Sequence, residues 1–148
     1  MFVCHGNICR SPMAELIMKK IVADRGLSGE YTIASSATST EEIGNPIYPP
    51  ARAELLRHGI SPSGKYAKQL SPLDADRYDM FIGMDSANIR NMHRILGEGA
   101  KDKIYKMMSF VGSDADVADP WYHGGFDKTF EDCSLAAAAL VEYLEGKK

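Results

Sequence analysis

The chain has 148 residues, of which 45% are hydrophobic and 25% charged, and its net charge is −3. One domain spanning residues 1–148 fits this length, and a domain of this size buries roughly 68–70% of its unfolded surface with no disulfide or metal. The acidic balance argues against nucleic acid as a partner, and no apolar run is long enough to span a membrane.

In chain order, "MFV" reads as the end of a short buried strand and leads directly into "CHGNICRSP" at residues 4–12. Ser11 and Pro12 are residues favoured just before and at the first helical position, so a helix is expected to open there. Met13, Leu16, Ile17 and Ile21 form its apolar face, and Gly26 is its expected stop. "YTIASSAT" (31–38) alternates and then turns small and polar, as a strand entering a loop does. Pro46, Pro49 and Pro50 delay the next helix to about 51–58. "YDMFIGMD" (78–85) reads as a buried strand with a polar tip, "SANIRNMHRIL" as a helix and "KIYKMM" as a fourth strand. A loop with Asp114, Asp116 and Asp119 follows, and residues 127–146 close the chain as an amphipathic helix. Strand and helix in alternation predict an α/β fold with a parallel sheet, with ligands bound beyond the carboxyl ends of its strands.

The loop at residues 4–12 lies at such an end, directly before a helix N-terminus. Backbone N–H groups and the helix dipole there favour an anion. Gly6 is expected to bring the backbone close to a ligand at positive φ, and Asn7 is the non-glycine residue most at ease in the left-handed region. Arg10 is placed to fork two oxygens of a tetrahedral oxyanion. The same field favours thiolate over thiol at Cys4, and a thiolate beneath a phosphate is an in-line nucleophile. Downstream, Asp119 in "ADPWYHGG" is either a general acid for a leaving oxygen or an ordinary Asp-Pro turn. Trp121 and Tyr122 on the same loop would wall an aryl group. His58, His93 and His123 read as surface or loop residues, His123 being the one nearest the acid loop. The three cysteines, Cys4, Cys9 and Cys133, are an odd number without a signal segment, which fits free thiols in the reducing cytoplasm. None sits at zinc-ligand spacing, so a structural metal is not expected.

Together these motifs resemble the low-molecular-weight protein tyrosine phosphatase family. "VCHGNICRSPMAE" matches the family's phosphate-binding loop, and "SSATS" (35–39), "IGNP" (43–46), "HGI" (58–60), "YDMFIGMD" and "DPWY" follow in the family's order. The resemblance implies a three-layer α/β fold: a four-stranded parallel sheet flanked by helices on both faces. It implies hydrolysis of phosphotyrosine in protein substrates through a phosphocysteine on Cys4. Arg10 would bind the phosphoryl group and Asp119 would act as acid and then base. His5, Gly6, Asn7, Ile8, Cys9 and Ser11 would complete the loop. Asn7 would hold its turn with support from Ser35, while Ser11 would either bond the thiolate or cap the helix. Cys9 would be a redox guard of Cys4 or a plain buried thiol. The resemblance implies no metal or organic cofactor; phosphate and vanadate would inhibit, and the protein would be a monomer or self-associate weakly.

Some positions depart from the family. His5 stands where a bulky apolar residue is common, as rim charge or solvated rim. Glu41 stands where an apolar or aromatic pocket wall is common and would repel acidic phosphopeptides. Lys65 replaces a frequent histidine, which calls one loop-supporting contact into question. Only three residues precede Cys4, so either the start is misassigned or the sheet edge is weak there. Three alternatives use the same loop. An arginine phosphatase carries a small Thr where this chain has Ile8. An arsenate reductase needs a cysteine relay, and residues 82–92 contain no cysteine. A phosphate- or phosphopeptide-binding module would keep the loop and Arg10 but would not need Cys4 and Asp119 together.

Overall fold

Four short parallel strands form one sheet in the order β2-β1-β3-β4, from β1 (Phe2–Cys4), β2 (Ser35–Ala37), β3 (Phe81–Gly83) and β4 (Ile104–Lys106). The computed structural model describes all 148 residues apart from the side chain of His123. β1 pairs with β2 through Cys4↔Ala37 and with β3 through Val3↔Gly83. It is therefore a central strand, and the expectation of a weak sheet edge at the N-terminus fails. β1, β2 and β3 are fully buried, as strands covered on both faces must be.

Five helices connect and cover the sheet: α1 (Arg10–Asp24), α2 (Pro49–Arg57), α3 (Ser86–Leu96), α4 (Pro120–His123) and α5 (Phe126–Glu145). On one face α1, α2 and α5 pack together around Met13, Ile17, Leu55, Cys133 and Leu140. On the other, Met92 and Leu96 of α3 pack on Val3 and Phe81. The result is the expected three-layer fold with helices on both faces.

The strands are shorter than the sequence pattern predicts, and the ends of the apolar runs are the reason. Met84 and Met107 are buried as fully as the strands but lie beyond the last paired residue, so burial outlasts pairing. Residues 107–111 wind into a 3-10 turn ending at Gly112 in the left-handed region. The helix after the Cys loop begins at Arg10, not after Ser11. Cys9 is the cap residue and makes no side-chain cap bond, so the capping role expected of Ser11 is absent. Its hydroxyl is engaged elsewhere. α3 is capped as a reciprocal box: Asp85 accepts from the Asn88 N–H, and the Asn88 side chain accepts from the Asp85 N–H.

Candidate active site

β1 delivers Cys4 to the carboxyl end of the sheet, and the 5–9 loop then wraps its sulfur before α1 begins. Asn7 (φ 61°) is the one non-glycine residue with positive φ among the described residues. Gly6 is not among the positive-φ glycines, so the reversal rests on Asn7 alone. A left-handed asparagine is held by its side chain, and here every polar atom of that side chain is used. Its Oδ1 accepts the Lys68 N–H at 3.1 Å, which fixes which way the amide points. Its Nδ2 donates to Ser11 Oγ at 2.7 Å and Ser35 Oγ at 2.9 Å.

Counting donors gives the direction of the remaining bonds. The Ser35 hydroxyl donates to Glu15 Oε1 at 2.6 Å, so its oxygen is free to accept from Asn7. Ser11 Oγ accepts from Asn7, which leaves the Ser11 proton for Cys4 Sγ at 3.0 Å. The Asn7 backbone N–H also points at Cys4 Sγ, at 3.3 Å. The sulfur thus receives two donors, the arrangement that suits a thiolate.

Behind this row lies a buried charge pair. Lys65 Nζ is 3.0 Å from Glu15 Oε1 and donates to the Ser35 carbonyl at 3.2 Å. Lys65 therefore supplies a loop-supporting contact in place of the family's frequent histidine. Burial pushes the Glu15 carboxyl up. Hydrogen bonds from Lys19 and Ser35 and the charge of Lys65 outweigh it and hold the group below its usual value of 4.5.

Arg10 opens α1 with its side chain only 3% exposed. Its Nη1 donates to Asp85 Oδ2 at 2.7 Å and to the Val117 carbonyl at 3.0 Å, while Nη2 reaches Asp119 Oδ2 at 3.5 Å. Burial disfavours its charge, but Cys4, Asp85 and Asp119 more than offset it, and the guanidinium stays charged. Asp119 is the cap of the short α4 turn, with Pro120 at the first helical position. Its Oδ1 accepts the Trp121 N–H at 3.1 Å, while Oδ2 faces Arg10. One Asp119 oxygen thus serves the turn while the other is turned toward Arg10.

A cavity of about 120 Å³ brings these groups together. Cys4, Ile8, Cys9, Arg10 and Asp119 line it, and His5, Glu41, Glu42, Trp121 and Tyr122 form its walls. Trp121 and Tyr122 are 49% and 74% exposed, and Trp121 leans on Tyr48 with ring centroids 4.5 Å apart. His5 Nε2 lies 3.1 Å from Glu41 Oε2. The two departures from the family's pattern thus contact each other on the rim. Sequence reasoning missed Glu15, Glu42, Tyr48 and Asp85. Asp85 had a signal, since an acid between a buried strand and a helix start at this pole is placed to face the loop. Among the described residues no cluster of His, Cys, Asp or Glu is arranged to hold a metal ion. No helix among them is long and apolar enough to cross a membrane.

Comparison with known proteins extends over the full length of the chain. Residues 1–148 match the sequence profile described as low molecular weight phosphotyrosine protein phosphatase, and the chain belongs to that family. It is 37% identical over 150 residues to the low molecular weight protein-tyrosine-phosphatase YfkJ of Bacillus subtilis, covering 100% of this chain and 96% of that one. It is 33% identical over 147 residues to the human low molecular weight phosphotyrosine protein phosphatase, covering 96% and 92%. The crystal structure of YfkJ superposes with a TM-score of 0.95 at 36% identity, over 99% of this chain and 94% of that one. The YwlE arginine phosphatase shares the fold as well, with a TM-score of 0.86 at 26% identity, over 97% and 93%.

Proposed function

We propose that this protein hydrolyses phosphotyrosine in protein substrates through a phosphocysteine intermediate. The observation that carries the reading is the cleft itself, where a doubly hydrogen-bonded Cys4 sulfur, the charged Arg10 and the carboxyl group of Asp119 meet. Cys4 Sγ attacks phosphorus as the P–O bond to the phenol breaks. Arg10 binds the phosphoryl oxygens and stabilises charge on the transferring group. Asp119 gives its proton to the leaving phenolic oxygen. Asp119, now a carboxylate, takes a proton from water as that water attacks the phosphocysteine. Phosphate leaves and Cys4 returns as thiolate, still held by Ser11 and the Asn7 N–H.

An aryl substrate is favoured over phosphoarginine because Ile8 gives the cleft an apolar lining and Trp121 and Tyr122 stand at its mouth. The family assignment supports the same choice. Phosphate and vanadate would compete for the loop. Three buried free thiols fit a cytoplasmic setting.

Turnover of p-nitrophenyl phosphate and phosphotyrosine by the parent and by Cys4→Ser, Arg10→Ala and Asp119→Ala tests the reading. Cys4→Ser should be inactive, and Asp119→Ala should lose about 10²–10⁴-fold on phosphotyrosine. Activity retained by Cys4→Ser would overturn the mechanism. Faster hydrolysis of phosphoarginine than of phosphotyrosine would overturn the substrate.

A further inference from the structure

Asp119 lies at the end of a segment that contains no helix or strand from Gly112 onward. A general acid must nonetheless be placed closely, since a misplacement of about 1 Å can cost on the order of 10²-fold in rate. What holds this segment is therefore part of the chemistry. Val117 is one anchor: its N–H donates to the Met84 carbonyl at 2.8 Å, and its carbonyl accepts from Arg10 at 3.0 Å. The other anchor is Lys106, the last residue of β4. Its Nζ lies 2.7 Å from Asp116 Oδ1, 2.7 Å from the Asp114 carbonyl and 3.1 Å from Ser86 Oγ. Three acceptors match the three protons of one ammonium group. Asp116 Oδ1 also accepts the Ser86 N–H at 3.2 Å, in the first turn of α3, where the helix dipole favours a carboxylate. Lys106 thus ties the acid-bearing segment to the sheet and to α3 at two points, without lining the cleft.

We propose that Lys106 is a positioning residue for the acid step, acting through Asp116 and the Asp114 carbonyl to hold Asp119 at the leaving oxygen. This rests on the role of Asp119 proposed above. Lys106 touches neither Cys4 nor Arg10 nor the phosphoryl position, so its loss should affect proton transfer more than nucleophilic attack. A leaving group that departs well without a proton should be nearly indifferent to it. One that departs poorly should not be.

The test compares kcat/KM, which covers steps only as far as the phosphocysteine, for p-nitrophenyl phosphate and for phosphotyrosine. Lys106→Met should lower the value for phosphotyrosine by about 10-fold and that for p-nitrophenyl phosphate by about 2-fold or less, on the scale of a modest misplacement. Lys106→Arg should restore the phosphotyrosine value, because a cation on a long stem can still reach Asp116. Asp116→Asn, on a half-exposed side chain, should shift the same ratio in the same direction and puts no core packing at risk. Equal losses on both substrates, or no loss in either Lys106→Met or Asp116→Asn, would overturn the proposal. Asp119→Ala separates the two levels. If it fails to discriminate between the substrates, the acid role itself is wrong. If it discriminates and the Lys106 and Asp116 variants do not, only the positioning role is wrong.

Discussion

Lys65 Nζ and Glu15 Oε1 lie 3.0 Å apart behind the phosphate-binding loop, with side chains 13% and 6% exposed. The same Glu15 oxygen receives the Ser35 proton, and that bond turns Ser35 into an acceptor for Asn7. A charge pair on α1 and the 58–70 segment is thereby linked to the Cys4 sulfur through three side chains, Ser35, Asn7 and Ser11. Removing one member of a buried pair leaves the other charge uncompensated, at a cost of about 3–5 kcal/mol. Glu15→Ala should therefore destabilise the fold by about 3 kcal/mol, since the half-exposed Lys19 loses little. In a chain of this length that corresponds to a melting temperature lower by roughly 6–12 °C.

The pH dependence of that pair has a definite sign. Glu15 is held below its usual 4.5, so its contribution is present above that value and is lost as pH falls through the lower folded pKa. The stability gap between the parent and Glu15→Gln, read from urea midpoints, should be full at pH 7 and narrow once pH drops below about 4.5. A gap that is constant from pH 7 to pH 3 would mean that Glu15 carries no charge-dependent role. kcat should fall modestly in the same variant, because a neutral amide oxygen is a weaker acceptor for the Ser35 hydroxyl on which Asn7 rests.

Thiol chemistry separates the three cysteines. Burial pushes Cys9 up to about 12, with the neighbouring Cys4 and Asp119 adding to the effect, and burial, with Asp132 adding to it, pushes Cys133 up to about 12. Neither has a thiolate population of consequence near neutral pH. Cys4 and Cys9 both line the cleft, but Cys4 is the one with two donors on its sulfur. Iodoacetamide at pH 7.5 should add once to the native chain, at Cys4, and three times after unfolding. Phosphate should block the first addition. Intact mass and peptide mapping read all of this, and a native second adduct on Cys9 would contradict the assignment.

The fold was legible because its strongest signals are local. "SANIRNMHRIL" matches α3 residue for residue, since Asp85 caps it and Gly97 stops it. Asn7 and Ser35, twenty-eight positions apart, could be linked only through the family resemblance, and they do bond. What stayed hidden depends on distant pairs of ordinary residues. Nothing in the neighbourhood of Glu15 marks it as buried, because its partner Lys65 arrives from another crossover. Ser11 beside Pro12 looked like a cap, but the helix starts one residue earlier and the hydroxyl turns inward to Asn7 and Cys4. Gly6 looked like the hinge of the loop, yet Asn7 alone carries the positive φ, because its side chain has three partners to hold it there.

The rim predicts a preference among phosphopeptides. Glu41 and Glu42 both border the mouth of the cleft. Glu41 is drawn to His5 at 3.1 Å and Glu42 accepts from Asn45 Nδ2 at 2.6 Å, so both carboxylates are held in place at the surface. A phosphotyrosine entering this cleft brings its flanking residues against that edge. Exposed charge pairs are worth about 0.2–1 kcal/mol each, so two such contacts give roughly a 2- to 30-fold preference. Peptides with Lys or Arg beside phosphotyrosine should accordingly show higher kcat/KM than peptides with Glu or Asp there, by about 3- to 10-fold at low ionic strength. The ratio should shrink toward unity near 1 M salt, where the screening length is about 3 Å. It should also shrink in the Glu41→Gln, Glu42→Gln double variant, while p-nitrophenyl phosphate, which has no flanks, is turned over at close to the parent rate. An acidic preference in the parent, or a basic preference untouched by the double variant, would place the determinant elsewhere on the rim.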